Sequence, residues 1–144
     1  MSKLNWKLLT KKRNSSTQGV PPGKETLAWV TNTVTLIYGE RDAVLVDTFL
    51  SEQHSKELVN WVVESGKNLT TIYVTHAHGD HFFGLKLLLD RFPNAKAIAI
   101  APAVAAIRDQ IKPVHEVLLG AALSWADPIR AGSAASPRRR YLLP

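Results

Sequence analysis

The sequence predicts an α/β layered fold, and three observations carry the prediction. Short runs rich in β-branched and aromatic residues recur at 27–38, 43–47, 70–75 and 95–100. Between the later runs lie stretches whose apolar residues follow helical spacing. The two kinds alternate through the middle of the chain in the order ββαβαβα, as expected when helices cover a sheet.

Leu27 to Tyr38 reads as the first strand, Gly39 to Asp42 as a turn, and Ala43 to Asp47 (AVLVD) as a short buried strand. Ser51 is a candidate N-cap for a helix that packs through Leu58, Trp61 and Val62 and stops at Gly66. Thr70 to Thr75 (TTIYVT) is the third strand. Phe82 to Phe92 follows as a helix with Phe82, Leu85 and Leu89 on one face, ended by Pro93. Ala95 to Ile100 is the fourth strand, and Pro102 suits the first turn of a helix reaching about Ile111. A further helix is expected over Val114 to Trp125, weakened by Gly120 by about 1 kcal/mol relative to alanine.

With 144 residues, 45% apolar and 21% charged, the chain has the length and composition of one water-soluble domain. Three segments are expected: a basic flexible lead-in over 1–25, a folded domain over 26–125, and a disordered basic tail over 126–144, where Ala, Ser, Pro and Arg replace any apolar period. Cysteine is absent, which excludes disulfides and thiolate ligands. The longest apolar stretch, Ala97 to Ile107, is broken by Pro102 and is far shorter than the roughly 20 residues a membrane helix needs. No continuous apolar segment of the secretory type opens the chain, so a cytoplasmic location is expected.

The net charge of +6 raises the question of nucleic acid, and its distribution answers it. Residues 1–24 carry six Lys/Arg and no acid, and residues 128–144 carry four Arg and no acid. The stretch between holds eight bases against twelve acids. The positive charge therefore lies at the two ends, no basic groove crosses the folded part, and nucleic acid is not the expected partner.

Chemistry concentrates in Thr75 to His81, THAHGDH, where three of the five histidines and an aspartate fall within six positions. A chance match to H-x-H-x-D-H anywhere in a chain of this composition has a probability on the order of a few in ten thousand. The cluster directly follows a largely apolar strand, at the end where ligands of α/β sheets tend to bind. If the backbone stays extended through His78, the side chains of His76 and His78 point the same way and can share an ion. Gly79, taking a φ that other residues avoid, would turn the chain so that Asp80 and His81 serve a second ion. Imidazole and carboxylate donors without thiolate suit Zn²⁺, with Mn²⁺ or Fe²⁺ also compatible. Such an ion lowers the pKa of bound water and polarises a carbonyl or phosphoryl group. His54, on the stripe of Leu58 and Trp61, and His115, beside Glu116, read instead as structural or solvated.

THAHGDH after a buried strand resembles the metal-binding signature of the metallo-β-lactamase superfamily, and VLVDTF is similar to that family's strand ending in aspartate. The resemblance runs from about Leu27 to Ile111, with Phe83 where many members have glycine. It implies one or two zinc ions. His76 and His78 would ligate the first; Asp80 and His81 would ligate the second, Asp80 also orienting the attacking hydroxide. Asp47 would stand behind the ligands. It further implies an αββα sandwich, a mixed sheet flanked by helices, of which this chain resembles the N-terminal half only. Full members draw two more histidines and an aspartate from their second half, whereas His81 is followed here by His115 alone. The expectation is thus a metal-dependent hydrolase acting on a small molecule, truncated and of low activity alone. The alternative is a non-catalytic metal-binding or interaction module. In either case an apolar sheet face is left for self-association or a partner chain.

Overall fold

The computed structural model describes residues 3–15, 19–118 and 141–142. Six strands form one mixed sheet in sequential order: β1 (Asn5–Asn14), β2 (Trp29–Tyr38), β3 (Asp42–Val46), β4 (Asn68–Val74), β5 (Lys96–Ala99) and β6 (Tyr141–Leu142). The β1–β2, β2–β3 and β5–β6 pairs are antiparallel, and β3–β4 and β4–β5 are parallel. The parallel connections carry the helices α1 (Glu52–Glu64), α2 (Gly79–Phe82) and α3 (Leu85–Arg91), and α4 (Ala101–Leu118) follows β5. This is the mixed, helix-flanked α/β sheet that the sequence predicts.

One face of the sheet carries the core. Val34, Leu36, Leu45, Leu69, Ile72, Val74 and Ala97 meet Leu58 and Val62 of α1, Leu85 and Leu88 of α3, and Val104 and Ile107 of α4, all buried. Ser51 caps α1 as expected, its hydroxyl accepting from the His54 backbone N–H at 3.2 Å. The chain leaves α1 through Gly66 at φ 65°, a left-handed conformation that costs glycine nothing. On the opposite face the alternating residues stay open: Trp6, Leu8, Trp29 and Ile37 are 67, 51, 49 and 37% exposed.

The structure departs from the sequence reading in several places. The stretch expected as a flexible lead-in contains β1, whose ten residues pair with β2 from Asn5↔Tyr38 to Asn14↔Trp29. Its acid-free sequence lacks a core signature because Lys7, Lys11 and Arg13 occupy the inward positions beside Leu9. Such residues bury their stems and send their charges to partners. Lys7 lies 4.3 Å from the Trp61 ring centroid, Lys11 pairs with Glu57, and Arg13 reaches Asp80. Residues 25–28, expected at the domain start and the first strand, form a 3-10 turn.

The expected helix over 82–92 is two helices, because the Gly84 N–H donates to Thr48 Oγ1 at 3.1 Å, tying the chain to the loop after β3. The expected separation of two helices near Pro113 is absent. α4 spans Ala101–Leu118 with Pro113 inside it, although an interior proline gives up one backbone hydrogen bond and crowds the carbonyl four residues earlier. The remainder of the helix expected over 114–125 lies outside the described residues, as does the tail expected over 126–144 except Tyr141–Leu142. Those two residues add β6 beside β5 instead of being free chain.

Candidate metal centre

The cluster sits where β4 ends. Val74 completes the strand, Thr75 to His78 cross the sheet edge, and α2 begins at Gly79. His78 has extended dihedrals (φ −94°, ψ 136°), but His76 and Ala77 form a bend, so the two histidines meet across a bend instead of along the continued strand that the sequence suggests. His76 Nε2 lies 3.1 Å from His78 Nδ1 with the two ring centroids 4.6 Å apart, and the His76 and His81 centroids are 4.0 Å apart. The turn is made differently from the expectation. Gly79 is not among the positive-φ residues but opens α2, and the half-exposed Phe83 ring packs into the space that a Cβ there would take.

The unusual backbone belongs to Asp47, at φ 64° the one non-glycine residue with positive φ among those described. For a residue with a Cβ this conformation costs of order 1 kcal/mol or more and is held by its surroundings. Those surroundings are visible. Asp47 Oδ1 accepts from the Thr75 N–H at 2.8 Å, and the Thr75 hydroxyl lies 2.8 Å from Asp47 Oδ2 and 2.9 Å from His76 Nδ1. The other side of Asp47 Oδ2 faces His81 Nδ1 at 3.0 Å, out of line for a hydrogen bond, so this buried nitrogen has no hydrogen-bond partner. A carboxylate placed behind ligating histidines is the usual means of fixing their orientation.

Asp80 is held from elements the motif does not contain. Asn32 Nδ2 on β2 donates to Asp80 Oδ2 at 2.6 Å, and Arg13 Nη2 on β1 donates to the same oxygen at 3.0 Å. Burial by itself raises the Asp80 pKa, but the Asn32 and Arg13 hydrogen bonds and the nearby His81 outweigh it and hold the carboxyl below its ordinary value. Oδ1 is left facing His81 Nε2 at 3.8 Å. Further support comes from α4, where Gln110 donates to the Ala77 carbonyl, and from Thr48, whose N–H donates to the His81 carbonyl at 3.0 Å.

The His76 ring lies against both His78 and His81, and His81 Nε2 is 3.8 Å from Asp80 Oδ1. Among the described residues no group of three or more His, Asp or Glu side chains is arranged to hold one ion. The His76–His78 separation nevertheless fits a common ligand, since two nitrogens about 2.0–2.1 Å from a tetrahedral zinc stand roughly 3.4 Å apart. The wider Asp80–His81 pair and the orphaned His81 Nδ1 complete a donor set whose chemistry suits Zn²⁺. His54 is placed elsewhere, its ring edge-on to Phe49 at 5.9 Å, and the His115 side chain lies outside the described residues. A cavity of about 440 Å³ beside Leu4, Ile37, Arg41 and Val44 lies at the start of β3, away from the histidines.

Arg13 and Asn32 escaped the sequence reading. Asn32 carried a signal, an amide within the strand WVTNTVTLIY at a position whose period-two neighbours Val34 and Leu36 are core. Arg13 carried only a weak one, the recurrence of long cations at 7, 11 and 13.

Known proteins support the architecture. A Hirschia baltica metallo-beta-lactamase crystal structure superposes with a TM-score of 0.56 at 20% identity, covering 73% of this chain and 43% of that one, a likeness of fold. The hydroxyacylglutathione hydrolase of Francisella tularensis subsp. novicida is 34% identical over 64 residues, 44% of this chain and 24% of the relative. An atrochrysone carboxyl ACP thioesterase from Pseudocercospora fijiensis is 38% identical over 80 residues, 54% of this chain and 23% of the relative. The matched stretches thus span about a quarter of these relatives. The family model for the metallo-beta-lactamase superfamily matches residues 27–127, most of the sequence and all of the THAHGDH cluster, and the chain belongs to that superfamily.

Proposed function

We propose that this chain provides the metal-binding half of a hydrolase that uses Zn²⁺ to cleave a small-molecule thioester in the cytoplasm, with Mn²⁺ or Fe²⁺ as compatible ions. The observation that carries the reading is the 3.1 Å approach of His76 Nε2 to His78 Nδ1 beside Asp80 and His81 at a strand end. When bound, the ion supplies an acidified water and a Lewis acid for the carbonyl. His76 and His78 would hold one ion and Asp80 with His81 a second. The Asp80 carboxylate, ionised at neutral pH, orients the attacking water through Oδ1, the oxygen that Arg13 and Asn32 leave unoccupied. Asp47 keeps Thr75 and His81 in place behind the donors. In the reaction water adds to the acyl carbon and the C–S bond breaks; one proton of the water leaves on the thiol and the other passes to solvent, leaving the carboxylate. The thioester class is supported by the relatives, one named for hydrolysis of an acylated glutathione and one named a thioesterase.

The open face bearing Trp6, Leu8 and Ile37 supports a covering sheet from a partner chain or a second copy. Zinc content and turnover of thioester, lactam and phosphodiester substrates test the proposal, alone and after His78→Ala. Zinc-dependent thioester cleavage lost in the variant is the expected result. Zinc binding without turnover of any of the three would favour the non-catalytic module instead. Sedimentation measures whether the face is covered, and a monomer at all concentrations would refute self-association.

A further inference from the structure

We propose that Arg13 is a built-in rival for the cation at Asp80, so that the Asp80–His81 pair takes a divalent ion more weakly than the His76–His78 pair does. The inference rests on the metal-dependent reading above and specifies how its two half-sites differ. His76 and His78 are exposed, and among the described residues no Lys or Arg ion pair or hydrogen bond reaches their rings. Asp80 instead has one oxygen engaged twice, by Asn32 at 2.6 Å and by the Arg13 guanidinium at 3.0 Å. The guanidinium already neutralises the carboxylate, and a divalent ion brought to the same group meets its positive charge at short range.

Arg13 is committed to this position. Its Nη1 donates to the Asn14 carbonyl at 3.1 Å, its Nε is buried without a hydrogen-bond partner, and its backbone lies in the β1–β2 ladder opposite Val30. Asp80 is its one carboxylate partner among the described ion pairs. A cation held by a strand register is a fixed part of the site, since it cannot leave with solvent as a free counter-ion does.

Zn²⁺ titrated calorimetrically into the full chain tests this, comparing the unaltered protein with Arg13→Gln and with each carrying Asp80→Asn. Arg13→Gln is expected to tighten zinc binding tenfold or more, and Asp80→Asn to abolish the gain. Lys12→Gln, which removes a neighbouring charge on the other face, is expected to leave binding as it was; an equal gain there would overturn the proposal. Equal or weaker zinc binding by Arg13→Gln overturns it while leaving the metal reading intact, and absence of binding by both proteins overturns the two together. Should Arg13→Gln fail to fold, the Arg13 Nε–H nitrogen resonance of the unaltered protein decides. Its displacement as zinc saturates supports the rivalry, and an unmoved signal with zinc bound refutes it.

Discussion

The two halves of THAHGDH are built in opposite ways. His76 and His78 are exposed and mutually close across a bend, with the Thr75 hydroxyl against His76 Nδ1. Asp80 and His81 are partly buried and engaged by Arg13, Asn32 and Asp47 from three strands or strand ends. The comparison teaches that one short motif can contain a pair set by local backbone geometry and a pair set by long-range contacts. The first should be sensitive to loss of its own side chains, the second to changes far away in sequence.

The largest expected effect breaks the first half. His78→Ala should lower zinc affinity by about 100-fold or more, exceeding the 10–100-fold typical of groups behind the ligands, with the fold retained by circular dichroism. Asp47→Ala acts on the second half and should cost about 10–100-fold in zinc affinity, read by calorimetry. Asp47→Gly, which accepts φ 64° without strain, should lose the affinity but be more stable than the alanine variant in urea.

Gly84→Ala tests the support beneath that half, because its Cβ would lie 2.8 Å from Ser55 Oγ and 3.0 Å from Thr48 Cβ. It should destabilise the protein by about 1–3 kcal/mol in urea unfolding. Ser51→Ala, a purely local change at the α1 cap, should cost about 1 kcal/mol and leave zinc binding unaltered. The smallest effect is acid sensitivity. Asp80 titrates below its unfolded value, so its contribution is complete above about pH 4 and fades as pH falls through the lowered folded value. Asp80→Asn should make the acid-unfolding curve shallower over that range.

Much of the architecture was legible because it is written in local patterns. β2 to β5, the capped helix after Ser51 and the left-handed stop at Gly66 all follow from alternation, helical spacing and single-residue backbone preferences. β1 was hidden because its inward positions hold cations whose stems, not heads, are covered, and composition alone reads such a stretch as solvated chain. The break at Gly84 was hidden for a related reason, since its cause is a hydroxyl on Thr48, thirty-six positions earlier.

By itself the sequence determined the alternating strands and helices and the position of the four candidate ligands at the end of β4, because alternation and helical spacing are local periods. Only the tertiary structure decided that Asp80 belongs to Arg13 and Asn32, that Asp47 adopts a left-handed backbone to reach Thr75 and His81, and that β1 exists at all. Those outcomes depend on groups 15 to 67 residues apart meeting through the fold, which no local period encodes.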